Sequence, residues 1–251
     1  MKKQLLLLVM ILLPMVAMAD ESGLCGKYVS WTYTKSTHTL RVYGEGNMYD
    51  YYTDKSDESS TIYMTEFTPW EKYKGDIQKI IIDDGVSYIG GYAFHNIKNL
   101  KSVEIDDCVR IIGKGAFTGC NSLISICIGK GITYIDLMAF GFCSSLGDVY
   151  IYAEAVPTNI SYFDNSQNIT LHVPASSVED YRASKSWKNF GNIVALTDED
   201  PKPTGIDKIV ASDVNKNEVY FDLNCKRIQS PRKGLNIVKM SDGTTKKVIV
   251  K

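Results

Sequence analysis

Residues 77–145 read IQKIIIDDGVSYIGGYAFHNIKN (77–99), LKSVEIDDCVRIIGKGAFTGCNS (100–122) and LISICIGKGITYIDLMAFGFCSS (123–145). Phe94, Phe117 and Phe140 recur every 23 residues, and an alanine precedes each. A fixed period with apolar residues in constant phase implies supersecondary units that stack, each burying its apolar face on the next. A repeat solenoid is therefore expected, with a cap over each end.

In phase, Ile77, Leu100, Leu123 and Leu146 form one column, Ile80, Val103, Ile126 and Val149 a second, and Ile82, Ile105, Ile128 and Ile151 a third. Alternation at a spacing of two through a β-branched run is the pattern of a half-buried strand, so each copy opens with a strand that pairs in parallel with its neighbours. Val86, Val109 and Ile132, then Ile89, Ile112 and Ile135, are further apolar columns. Gly90, Gly113 and Asp136 separate them from the Ala-Phe pairs, which turn the chain inward again. The fold class is a mainly β repeat solenoid with short helical or 3-10 turns. After Ile151 the pattern gives way to AEAVPTNISYF, so the fourth copy is partial.

The pattern from Leu100 to Cys120 resembles the BspA-like leucine-rich repeats of bacterial surface proteins, of the type found in Bacteroidetes. The resemblance spans about 25–197. Cys25, Gly26, Trp31, Gly44, Gly46, Met48, Pro69 and Trp70 look like the β-rich segment that opens such arrays, and LHVPASSVEDYRASKSWKNFGNIVAL (171–196) like the one that closes them. It implies a cell-surface protein that binds a host or matrix protein, with adhesion as its specific work.

The flanks are also legible on their own terms. Residues 27–67 alternate in short runs broken by Gly44, Gly46 and a polar stretch, as hairpins do. Ser176 and Glu179 have the spacing of a capping box, predicting a short helix through Val178, Tyr181 and Ala183. DEDPKPTG (198–205) lacks an apolar anchor and reads as a linker. Strands are predicted at 218–223, 235–240 and 246–250. YFDLN, KGLNIVK and KKVIVK in this tail resemble the short C-terminal modules, type IX sorting signals among them, of exported Bacteroidetes proteins. The expected divisions are a signal peptide (1–19), an N-terminal cap (20–76), repeats (77–151), a C-terminal cap (152–197), a linker (198–205) and a small β module (206–251).

Lys2 and Lys3, the apolar run Leu5–Leu13 and the Ala17-Met18-Ala19 site have the layout of a secretory signal. Cleavage after Ala19 would leave a chain without a transmembrane segment and with a net charge of about −3, since two lysines leave a formal −1. Export to the cell surface or medium is expected. The six cysteines are too sparse for a stapled miniature fold, and their pairing is left open. Cys120 and Cys143 share one phase and are read as small buried residues of the spine.

No nucleophile elbow, phosphate loop, dinucleotide fingerprint or zinc-ligand set occurs, and His38, His95 and His172 lie in three separate contexts. Neither an enzyme, a cofactor, a metal nor a nucleic-acid partner is predicted. The candidate ligand-binding residues are those which period two sends to the outer face of the strands. They are Lys79, Ser102, Ser125 and Asp148, then Ile81, Glu104, Cys127 and Tyr150, with Asp83, Asp106 and Tyr152 beyond. A surface glycan is the alternative ligand, through the aromatics Tyr43, Tyr49, Tyr51, Tyr52, Tyr63, Phe67, Trp70 and Tyr73. A spacer with no specific ligand is the third possibility.

Overall fold

The computed structural model describes residues 21–51, 67–158, 163 and 165–203, together with the backbone of five short strands between 208 and 250. The expected signal segment, Tyr52, Tyr63 and Cys225 lie outside the described residues.

Two sheets run along the solenoid. The larger is built from β1 (Glu21–Leu24), β2 (Val29–Thr34), β3 (Thr39–Gly44), β5 (Lys79–Ile82), β7 (Ser102–Ile105), β9 (Ser125–Ile128), β11 (Asp148–Ile151), β12 (Thr170–Val173) and β13 (Asn192–Ala195), in that spatial order. From β3 onward every pairing in it is parallel. The smaller sheet holds β4 (Gly46–Asn47), β6 (Val86–Ile89), β8 (Ile111–Ile112) and β10 (Tyr134–Ile135). One short helix, α1 (Val178–Ala183), lies between β12 and β13 in sequence. The strands β14 (Lys208–Val210), β15 (Val219–Phe221), β16 (Arg227–Ile228), β17 (Gly234–Lys239) and β18 (Thr245–Val250) form a separate five-stranded sheet.

The apolar columns are core. Leu40, Ile80, Val103, Ile126, Val149, Leu171 and Ile193 stand in one register row, and Val42, Ile82, Ile105, Ile128, Ile151 and Val173 in the next, all of them buried. Both rows begin and end beyond the repeats. The parallel sheet therefore passes from the N-terminal segment through the repeats into the C-terminal segment without a break.

Behind the sheets the aromatic rings form a stack. Ring centroids are 5.1 Å apart from Trp70 to Phe94 and from Phe94 to Phe117, 5.3 Å from Phe117 to Phe140 and 5.1 Å from Phe140 to Phe163. Phe163 keeps the 23-residue phase, so the fourth copy retains its spine residue although the pattern gives way after Ile151. Each end is closed by tryptophan. The indole N–H of Trp70 donates to the Ala93 carbonyl (3.0 Å) and that of Trp187 to the Pro157 carbonyl (3.1 Å), which satisfies the one polar atom each ring buries.

The Ala-Phe turns carry a backbone ladder of their own. The amides of Tyr92, Phe94 and Asn96 donate to the carbonyls of Lys114, Ala116 and Thr118, and those of Gly115, Phe117 and Gly119 to Leu137, Ala139 and Gly141. To aim successive groups this way the backbone turns left-handed at Tyr92, Gly115 and Met138, and again at Asn96, Gly119 and Phe142. Only the middle copy uses glycine at both places, where a left-handed residue carries no steric cost. The Cys120 and Cys143 thiols donate to the Phe94 and Phe117 carbonyls (3.2 and 3.3 Å), and both are buried, as their phase predicts. Cys25, Cys120, Cys127 and Cys143 are free, whereas Cys108 is disulfide-bonded.

The expected capping box does not form. The chain enters α1 through a 3-10 turn at Ala175–Ser177, so the N-cap falls on Ser177, whose side chain makes no capping bond. Arg182 instead takes the Glu179 carboxylate at 2.8 Å. The helix closes the stack with Tyr181, fully buried, its hydroxyl donating to the Ala153 carbonyl.

Two outcomes follow from this packing. Phe117→Ala removes a fully buried ring with a neighbour on each side, and is expected to lower stability by about 3–5 kcal/mol in urea unfolding. Burial pushes the Cys120 thiol from about 9.0 up to about 12, so the folded state holds its proton where the unfolded chain releases it. Stability should fall as pH rises above 9, and a Cys120→Ala variant should show a shallower fall in its urea midpoint.

Candidate ligand-binding face

Because adjacent side chains on a strand point to opposite faces, the residues between the buried columns line the outer face of the large sheet. Two register rows define it. One runs Thr39, Lys79, Ser102, Ser125, Asp148, Thr170, Asn192, and the other Arg41, Ile81, Glu104, Cys127, Tyr150, His172, Val194. All eleven predicted residues lie on these rows or at the strand exits, but their exposures differ. Lys79, Ser102, Glu104, Ser125, Asp148, Tyr150 and Tyr152 are half-buried, so the face is recessed rather than fully solvated.

Four of the eleven are buried, which corrects their reading as surface groups. Ile81 sits in its row between the longer Arg41 and Glu104. Asp83 and Asp106, with Asp84 and Asp107, tuck under the turns at the strand exits. Arg41 Nε donates to Asp83 (2.7 Å), Asp106 accepts the Asp107 amide (2.7 Å), and Asp107 accepts the Lys130 amide (3.1 Å). These carboxylates fasten turns. Cys127 is covered by residues 197–203, as described below.

The face changes chemistry along its length. Toward the N-terminal end, Lys79 Nζ meets Glu104 Oε1 at 2.5 Å beside the Arg41–Asp83 pair. Toward the C-terminal end, Tyr150 stacks on His172 at 4.2 Å, and His172 Nε2 lies 3.0 Å from Asp148. Burial raises the Tyr150 hydroxyl, with Asp148 and Asp200 adding to it. Burial likewise pushes Tyr152 up to about 12, reinforced by Cys127 and Asp200. No constellation of nucleophile, base and oxyanion donor converges on this face among the described residues, and no group of three His, Cys, Asp or Glu among them could hold a metal ion.

Arg41 and His172 escaped the sequence reading. LRV at 40–42 carries the same alternation as the repeats, but the 15 residues 52–66 and a different turn separate it from them. LHV at 171–173 follows VYI at 149–151 by 22 residues, one short of the period, and so drops out of phase. Pro201, in the stretch expected to be a linker, also meets the sheet. Leu196 continues the ladder to Val173 (2.8 Å), and residues 197–203 then fold back onto the face.

Residues 70–186 match the family model described as the BspA type leucine rich repeat region (6 copies). No curated protein matches the chain. Among solved structures, a leucine-rich repeat protein from Eubacterium ventriosum is similar at 17% identity and TM-score 0.43, over 63% of this chain and 45% of that one. The pneumococcal vaccine antigen PcpA is similar at 18% and 0.39, over 66% and 46%. The leucine rich repeat protein TpLRR of T. pallidum is similar at 16% and 0.35, over 67% and 79%. The chain spans less than half the length of the first two. No helix among the described residues is long and apolar enough to cross a membrane.

The glycan platform is largely dismantled by core packing. Trp70 and Tyr51 are buried, and Tyr49 and Tyr73 pack against the core, because the N-terminal segment must cover the first repeat. Phe67 is exposed, and Tyr43 is half-buried.

Proposed function

We propose that this chain is an exported, non-enzymatic binding protein that recognises another protein through the outer face of its large sheet. The observation that carries the reading is the pair of unbroken register rows from Arg41 to Val194 and Thr39 to Asn192. They present ion-paired, hydroxyl and aromatic groups in fixed order on a rigid backbone. Repeat solenoids offer such surfaces to partners, and a recessed face with a few aromatic and charged anchors suits protein recognition. The family of the repeats and the signal-like leader support a place at the cell surface, with adhesion to a host or matrix protein as the specific task.

A second reading has one observation in its favour. A cleft of about 790 Å³ lies between the Lys27-Tyr28 turn and the small sheet, lined by Tyr28, Asn47, Tyr49, Tyr88 and Ile111. Its open side shows the Tyr28 ring, 66% exposed, so a glycan would stack here and not on the buried Trp70.

An array of matrix proteins and glycans probed with full-length chain separates the two. Ser102→Arg with Glu104→Arg is expected to weaken protein binding at least about tenfold, while Lys114→Glu on an exposed turn leaves it unchanged. Protein binding that survives the double substitution removes the sheet face from consideration. Glycan binding abolished by Tyr28→Ala would install the second reading in its place.

A further inference from the structure

The charged segment after β13 has no apolar anchor in its sequence, yet it lies on the face. Past Leu196 it turns sharply. The Thr197 amide and hydroxyl donate to Asp200 Oδ2 (2.6 and 3.1 Å), and the Asp200 amide donates to the Thr197 carbonyl (3.4 Å). This turn sends the chain back over β12 to β11 and β9, roughly 14 Å across three strand spacings. There the Pro201 carbonyl accepts two hydrogen bonds, from Cys127 Sγ (3.1 Å) and from the Tyr152 hydroxyl (3.1 Å). The Asp200 carboxylate stands 4.0 Å from His172 Nδ1, on the imidazole that stacks on Tyr150. Pro203 is buried.

We propose that Cys127, Tyr150, Tyr152 and His172 form a docking site for an extended acidic peptide with an Asp-Pro step, and that residues 197–203 are its resident occupant. The proposal rests on the sheet face being a protein-recognition surface, and it names the chemistry recognised there. Both lone pairs of one carbonyl are used, and a carboxylate faces a cation-capable ring; any chain offering an acidic residue followed by proline supplies the same groups. Proline also fixes its own φ, which lowers the cost of holding such a segment extended. Asp198, Glu199, Pro201 and Lys202 remain exposed, whereas the segments that close the core drive Tyr181 and Trp187 fully inside. A short tether supplies an effective concentration on the order of millimolar, so a contact this small stays seated without being tight. An external peptide with additional contacts would displace it.

The test uses full-length protein in which residues 198–202 are replaced by Gly-Ser-Gly-Ser-Gly. Two readouts apply: anisotropy of a fluorescein-labelled Thr-Asp-Glu-Asp-Pro-Lys-Pro peptide, and the rate of Cys127 alkylation by iodoacetamide, located by peptide mass spectrometry. The replaced chain should bind the peptide at least about tenfold more tightly than wild type, since the internal competitor is gone. Its Cys127 should alkylate faster, and added peptide should restore protection. Tyr152→Phe with His172→Ala in that chain should abolish peptide binding, and an Asp→Asn change before the proline should weaken it. A folded replaced chain that neither binds the peptide nor alkylates faster overturns the proposal. Should the replacement unfold the protein, Tyr152→Phe in the otherwise native chain takes its place, and an unchanged Cys127 rate there overturns it equally. Loss of array binding in the Ser102 and Glu104 variants with no peptide effect would sink this site alone, leaving the face as a protein-binding surface.

Discussion

The structure depends on a match between two spacings. Parallel strands pair about 4.7–4.9 Å apart, and offset aromatic rings stack comfortably at a centroid separation only slightly larger. From Trp70 to Phe163 the rings stand 5.1–5.3 Å apart, so one ring fits each level of the ladder. A chain that advances one strand per copy can therefore place the same residue at the same depth every time. An insertion between Phe94 and Phe163 that the turns could not absorb would move a phenylalanine out of the stack and open a cavity among close-packed neighbours. This is the physical reason for the constant period of Phe94, Phe117, Phe140 and Phe163.

The same ladder that fixes the spine fixes the outer face. Because register is shared by all strands from β3 to β13, a side chain at one level is held in line with those above and below it. The core rows tolerate little variation and are nearly uniform. The outer rows run from Arg41 and Lys79 through Glu104 to Tyr150 and His172, so copies that are equivalent inside present different chemistry outside. The edges are handled separately. At one end β1 and β2 turn antiparallel, and at the other Leu196 adds a last rung before residues 197–203 leave the sheet edge and cross the face. Short or interrupted edges of this kind limit pairing with other chains.

The left-handed positions show how far sequence regularity can relax while geometry holds. Tyr92, Gly115 and Met138 share one backbone conformation, as do Asn96, Gly119 and Phe142. Glycine would be the economical choice at all six. Only one copy makes it, because the inter-copy ladder over-determines the backbone and carries the strain of a larger side chain elsewhere. Phe142 in particular is a large exposed residue in a conformation unfavourable to it, which the amide-to-carbonyl ladder beside it maintains.

Periodic residues, by themselves, determined the solenoid, the parallel strands, the buried columns, the phenylalanine spine and the burial of Cys120 and Cys143. Those features repeat, and repetition is what a linear sequence displays. They also identified which positions face outward, though not that Ile81, Asp83, Asp106 and Cys127 are covered, since coverage depends on neighbours in other copies and on residues 197–203. Only the tertiary structure decided that the sheet continues through both caps, that Arg41 and His172 join its outer row, and that Trp70 closes the core instead of offering a surface. Each of these depends on contacts between residues separated by a turn of different length, where phase is lost while register in space is kept. The position of Pro201 is the extreme case: its carbonyl is a backbone group, every residue has one, and only the fold says which donors it meets.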